Sequence, residues 1–216
     1  MHRLILTALL AAPASAVAQD TPASVALLPF ADGGSYGQDH AVFEGLRLAI
    51  PSLLAAELGR SPGLRVAEPA LKADAAPRTD AGTAARVAQE AGASHGIAGT
   101  FMDHYGRFRL DARVVDAASG DVAFVASAAE QLRDRRQLAA MIRSLADEIR
   151  QQLELPAAAG PALGDVSFDA IAAYGQGLAA RRAGDGAAAG THFRRAVEAA
   201  PDFAAARRAL GSAPPP

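Results

Sequence analysis

Side chains that could do chemistry are few and scattered along this chain. Asp39 with His40, and Asp103 with His104, each set a carboxylate beside an imidazole, a pairing that can move a proton or contribute to a metal site. A metal centre needs three or four donors, and neither pair has a further ligand at helical spacing, so both read as solvated turn residues. Asp32-Gly33-Gly34-Ser35 follows an expected strand and precedes an expected helix, where backbone N–H groups could cradle a phosphate. No Gly-Lys-Ser/Thr follows it and no Gly-x-Gly-x-x-Gly spacing is present, so it reads as a plain loop. His95 and His192 stand alone, and no Ser, His and Asp set can be singled out as a triad. The chain has no Cys, which removes disulfides, thiolate metal sites, thiol nucleophiles and a lipid-modified N-terminal Cys together. These residues assign no catalytic residue, no cofactor-binding residue, no metal ligand and no small-molecule substrate. The expectation is a protein that is not an enzyme.

The arginines are more informative. Arg181-Arg182, Arg194-Arg195 and Arg207-Arg208 recur at thirteen-residue steps. From Ser167 onward six Arg stand against Asp169, Asp185, Glu198 and Asp202, a net charge of +2, while Gln19 to Val166 holds fourteen basic and nineteen acidic residues, a net charge of -5. This asymmetry could draw the tail onto its own domain or toward an acidic partner. A solvated helix face accounts for the same residues, since exposed charges contribute little singly. The whole chain carries a net charge of -2 with a pI near 6.2, which argues against a broad basic face and against nucleic acid as a partner.

The elements that must position these residues can be read from patterning. Half of the 216 residues are apolar and a fifth are charged, the profile of a folded globular chain. Residues 1 to 18 carry Arg3, an apolar run from Leu4 to Ala12, Pro13, and then Ala16-Val17-Ala18, which reads as a secretory signal peptide cut before Gln19. Its run is about half of the roughly 20 residues that a membrane span needs. Ser24 to Phe30 is a buried strand ending at Pro29, followed by a loop over 31–39. A helix from about Ala41 to Gly59 follows, with Pro51 either kinking it or opening its longer part. Leu64 to Ala67 is a second strand, and Asp80 can cap a helix that stops at Gly92. Three strands form a meander: His95 to His104, turned at Tyr105-Gly106; Arg107 to Asp116, turned at Ala118-Ser119-Gly120; and Asp121 to Ala128. The middle strand puts Phe108, Leu110, Ala112 and Val114 on one face and Arg107, Arg109, Asp111 and Arg113 on the other. Asp134 can cap a helix carrying Leu138, Met141, Ile142, Leu145, Ile149 and Leu153 along one side. The fold class is α/β (α+β): a mixed β-sheet with packed helices over 19–154, a Pro/Ala/Gly linker over 155–166, an all-α hairpin over 167–210, and a disordered tail over 211–216.

Particular segments carry a resemblance. Val25-Ala26-Leu27-Leu28-Pro29-Phe30, Ser61-Pro62-Gly63-Leu64-Arg65-Val66, Gly99-Thr100-Phe101, and Phe108 to Asp116 with Ser119-Gly120 in the turn resemble the periplasmic α/β domain shared by curli-assembly CsgG-type proteins, flagellar FlgO-type proteins and the amino-terminal domain of TolB. The likeness covers roughly Ser24 to Leu153 and rests on strand and turn motifs. A CsgG-type channel would be expected to carry a lipidated Cys and long membrane hairpins, which this sequence lacks. TolB would need a propeller after the domain, for which the residues beyond Pro156 are too few.

The tail resembles a single tetratricopeptide repeat, since Gly177, Gly184, Ala189, Phe193, Ala196 and Pro201 fall at that repeat's spacings. The first helix is expected over 167–183, the second over 187–199, and a capping helix over 201–210. Ala173 stands where the repeat usually has a large apolar residue. In such repeats the first helix lines the concave face, so Tyr174, Leu178, Arg181 and Arg182 form the candidate partner-binding surface. The alternative has Tyr174 and Leu178 buried against the α/β domain and the two Arg solvated, because one repeat cannot bury its own face.

The resemblances imply a secreted, non-enzymatic protein-protein interaction module of the bacterial cell envelope. It would be periplasmic or peripheral to the outer membrane, and accessory to assembly or transport of an envelope or surface structure. Its expected partners are periplasmic or outer-membrane proteins, with a homo-oligomer among them. The alternative is a ring-forming structural subunit of a curli-type outer-membrane secretion channel.

Overall fold

The computed structural model describes residues 23–36, 40–68, 79–129 and 131–212. The expected signal peptide and its cleavage site, Asp39, and the last four residues lie outside them. β1 (Ser24–Leu27) is wholly buried, as its unbroken apolar run requires. Pro29 has no N–H to give to a ladder, and the chain leaves its first pairing there. It rejoins the sheet as β2 (Ala31–Asp32), where the sequence suggested only loop, and pairs in parallel through Ala31 with Thr100. Two residues are too few to show a strand's alternation.

The first helix, α1 (His40–Leu58), runs unbroken through Pro51. Proline cannot bond the carbonyl four residues back, that of Arg47, and the Phe30 N–H takes this oxygen at 3.0 Å. The proline therefore anchors the end of the first strand onto the helix. After β3 (Arg65–Ala67), Asp80 caps α2 (Ala81–Glu90) by accepting the Thr83 N–H at 2.8 Å. The meander follows as β4 (His95–His104), β5 (Arg107–Asp116) and β6 (Val122–Ser127). Strand order is β3-β1-β4-β5-β6, parallel as far as β4 and antiparallel beyond it. A two-residue β7 (Arg133–Asp134) pairs with the start of β5.

On β5 the expected alternation holds: Phe108, Leu110, Ala112 and Val114 are buried, Arg107, Arg109 and Arg113 are exposed, and Asp111 is half-buried. α1 and α3 (Leu138–Gln152) cover the apolar face, and α2 packs Ala84, Ala85 and Val87 against Leu28, Ala98 and Val115 on the other. Asp134 caps one 3-10 turn, Arg135–Gln137, ahead of α3 rather than α3 itself. The sheet is thus mixed, with helices on both faces.

Three more helices complete the described residues: α4 (Phe168–Arg182), α5 (Gly186–Ala199) and α6 (Ala204–Gly211), the last taking in Gly211 from the stretch expected as tail. α4 packs on α1 on one side and on α5 on the other, and α6 packs on α5. Where α1 and α4 cross, a Cβ on Gly175 would stand 2.2 Å from the Gly45 carbonyl oxygen, so the two backbones touch.

Residues 155–166, the expected linker, run as a strap fastened to Arg60, α1 and α3. Arg60 donates to the carbonyls of Ala159 at 3.3 Å and Gly160 at 2.8 Å, and the Ala159 N–H returns to the Arg60 carbonyl at 2.8 Å. The Leu163 N–H reaches the buried Glu57 carboxylate at 2.6 Å, and Arg143 donates to the Leu163 carbonyl at 2.6 Å. Behind the strap, buried Arg150 donates to the Glu57 carbonyl at 2.6 Å and to Ser61 Oγ at 3.0 Å.

Candidate functional site

The proposed partner surface is built on α4. Ser167 caps this helix by accepting the Ala170 N–H at 3.2 Å, with Asp169 in the first turn and Arg181 and Arg182 in the last, the charge order that a helix dipole favours. Tyr174 is only 5% exposed. Its hydroxyl shares a 3.0 Å hydrogen bond with Ser52 on α1, and its ring packs 5.3 Å from that of Phe203 and 5.9 Å from that of Phe193. Leu178 is half-buried against the same core. Tyr174 therefore offers a partner no surface in this fold, because α1 lies on one side of α4 and the α5–α6 pair on the other.

Arg181 is exposed, with its guanidinium 5.5 Å from the centre of the Phe193 ring. Arg182 is half-buried and engaged. Both edge a groove of about 710 Å³ whose floor includes Pro29, Pro51, Ser52 and Ala67. The groove lies past the carboxyl ends of β1 and β3, next to the point where the strand order reverses, a usual place for ligands in open α/β sheets. The four candidate residues thus divide: two point into the molecule and two stand at a groove rim.

Asp103 and His104 come apart, while Asp39 lies outside the described residues. Asp103 is fully buried and accepts the Gly106 N–H at 2.7 Å while pairing with Arg135 at 3.0 Å. Its backbone N–H goes to Ser35 Oγ at 2.9 Å and its carbonyl accepts the Tyr36 N–H at 2.7 Å. His104 points the other way, edge-on to the exposed rings of Tyr36 and Tyr105. His40 lies 3.7 Å from Glu44 in an exposed pair. In the Gly-rich loop, Asp32 accepts the N–H groups of Gly34 at 3.1 Å and Ser35 at 2.8 Å, so those donors are spent within the loop. His95 shares a 3.0 Å hydrogen bond with Ser94, and His192 is half-buried on α5. Among the described residues no group of three His, Asp or Glu is placed to hold a metal, and no helix is long and apolar enough to cross a membrane.

Compared with known proteins, the chain matches no family model, and no curated protein matches it. The site must be read from its own geometry.

Local electrostatics follow from close pairs. The Arg136 guanidinium and its backbone N–H hold the Asp134 carboxyl down to about 2. Hydrogen bonding to Asp111 raises Arg109, and the Ser119 N–H lowers Asp116. Sequence reasoning missed the Asp103–Arg135 pair and the Glu57–Arg150 contacts. Glu57 falls between Leu54 and Leu58 on the apolar side of α1, a placement that flags a buried charge needing a partner.

Proposed function

We propose that the chain is a secreted, non-enzymatic protein-protein interaction module of the bacterial cell envelope, accessory to assembly or transport of an envelope or surface structure. In this reading β1 to α3 form a CsgG/FlgO/TolB-amino-terminal-like domain, and α4 with α5 is a single tetratricopeptide repeat capped by α6. The observation that carries the reading is the seat of α4 between α1 and α5. A lone repeat leaves one face uncovered, and α1 supplies here the cover that a neighbouring repeat would give. Small residues at the hairpin crossing support it: a Cβ on Gly177 would lie 2.4 Å from the Phe193 ring, and Ala189 and Ala196 are buried. Gly184, with φ +82°, sits in the turn between the two helices.

In-cell crosslinking of the full chain tests the proposal. A soluble monomer or dimer that crosslinks to specific envelope proteins, and whose periplasmic form begins at Gln19, is the expected result. Charge reversal at Arg181 and Arg182 then reports whether the groove rim contributes to capture. A large ring that needs detergent would overturn the module in favour of a curli-type channel subunit, and an intact Met1 in the cytoplasm would remove the envelope assignment.

A further inference from the structure

Arginines in the two parts of the fold are used differently. In the α/β body every described arginine but the exposed Arg133 is engaged: Arg86 pairs with Glu90 at 2.6 Å, Arg109 with Asp111 at 2.6 Å, Arg135 with Asp103 at 3.0 Å and Arg143 with Asp165 at 3.1 Å. Even the unpaired Arg107 and Arg113 reach backbone carbonyls, those of Leu132 and Thr79. On the outermost helices the pattern stops. Arg194 and Arg195 on α5 and Arg207 on α6 are exposed and have no hydrogen bond or ion pair among the described residues. Arg208 makes only a 3.4 Å contact to the Ala204 carbonyl of its own helix. Glu198 stands three and four residues from Arg195 and Arg194, the spacing at which helical ion pairs form, yet it pairs with neither.

Packing explains which side these residues take. Ala189, Gly190, Phe193 and Ala196 turn α5 toward α4, and Ala206 and Ala209 turn α6 inward, which leaves Arg194, Arg195 and Arg207 on the exposed sides of the two helices and Arg208 at the rim of a groove between α6, α1 and the strap. We infer that this outer face of α5 and α6 docks an acidic segment of a protein partner. The inference rests on the interaction-module reading and moves its contact surface from the buried α4 to the far side of the repeat. Charge complementarity carries it: guanidinium groups with no internal carboxylate partner match carboxylates on an extended acidic stretch. An anionic membrane fits less well. A helix pair held at a bilayer inserts apolar side chains, and the exposed large apolar residues Tyr36, Tyr105, Val122 and Val125 all lie outside α5 and α6.

The test measures binding of a labelled decaglutamate peptide to the full chain by fluorescence anisotropy, with decaglutamine as the uncharged control. Binding of decaglutamate alone is expected, weakening as salt rises toward about 0.15 M. Reversal of all four residues (R194E, R195E, R207E and R208E) should lower affinity at least roughly tenfold, since four exposed contacts are lost together. Arg133→Glu, an exposed charge on β7, should change it less than about twofold. If the reversed chain loses its circular dichroism signal, the same four positions changed to Gln give the reading, with the same expected direction. Equal effects of Arg133→Glu and the four-fold reversal would overturn the assignment, as would arginine-dependent binding of phosphatidylglycerol vesicles without peptide binding. Salt-sensitive self-association through these arginines would overturn it in favour of a second copy. Crosslinked partners that survive the four-fold reversal would sink this face while leaving the module standing. A chain that crosslinks to nothing would sink the module itself.

Discussion

Gly45 and Gly175 meet backbone to backbone where α1 crosses α4. This contact sets how closely the helical tail sits on the α/β body. Gly175→Ala would drive a methyl group to 2.2 Å from a carbonyl oxygen and force the helices apart. The expected cost is about 1 to 3 kcal/mol, the usual range for overpacking. Urea titration of the variant measures it, and a stability equal to wild type would show that the helices do not cross there.

The register of β5 makes a second prediction. Leu110 is fully buried, while the Arg109 side chain is 44% exposed and reaches Asp111. Leu110→Ala should cost roughly 2 to 5 kcal/mol and Arg109→Ala much less. Equal small effects would mean that the strand faces are assigned wrongly.

A third prediction concerns the strap. Arg150 holds the Glu57 carbonyl and Ser61 while lying beside the buried Glu57 carboxylate at 3.8 Å. Arg150→Ala should cost roughly 1 to 3 kcal/mol, the usual penalty for leaving buried acceptors, here the Glu57 carbonyl and Ser61 Oγ, without a donor, since the Glu57 carboxylate keeps Arg60 at 2.5 Å. It should also speed protease cutting within residues 155–166. Unchanged cutting would show that the strap does not depend on this arginine.

Acid titration supplies the fourth. Asp134 has its carboxyl lowered to about 2, first by its hydrogen bond from the Arg136 side chain and then by the Arg136 backbone N–H. An unfolded Asp titrates near about 3.9, so folding favours the ionised form. The contribution is fully present above that value and is lost as pH falls through it toward 2. NMR titration of the Asp134 carboxyl should show the low midpoint, and Arg136→Ala should return it toward about 4. A wild-type midpoint already near 4 would contradict the pair.

Sequence made the half-buried elements legible because burial leaves a period. β5 shows period two, and Asp80, the expected cap, stands one residue before its helix. β2 and β7 escaped because two residues carry no period. The strap escaped because its fastenings join Arg60 to residues 99 and 100 positions away. For Asp103 the signal was present and was overlooked: neighbours on a strand point to opposite faces, so Asp103 and His104 could not share a site.

The candidate surface was harder to read. α4 is apolar almost all round, which offers no polar stripe to mark the solvent side, so the direction of Tyr174 depends on what packs against the helix. Gly45 and Gly175 were visible as mid-helix glycines, each costing about 1 kcal/mol relative to Ala and so hinting at a close approach. Which glycine meets which is a tertiary fact.

The contact between Ser52 and Tyr174 spans 122 residues of chain. A helix laid down early thus waits for its covering helix until a segment 122 residues further along has emerged. Contacts of such long separation form late, after most of the loop entropy has been lost. Until then one flank of α1 stays open to water, to chaperones and to proteases. Quality control in this fold is therefore a matter of order of arrival: a chain cut short before α4 lacks the element that closes its first helix.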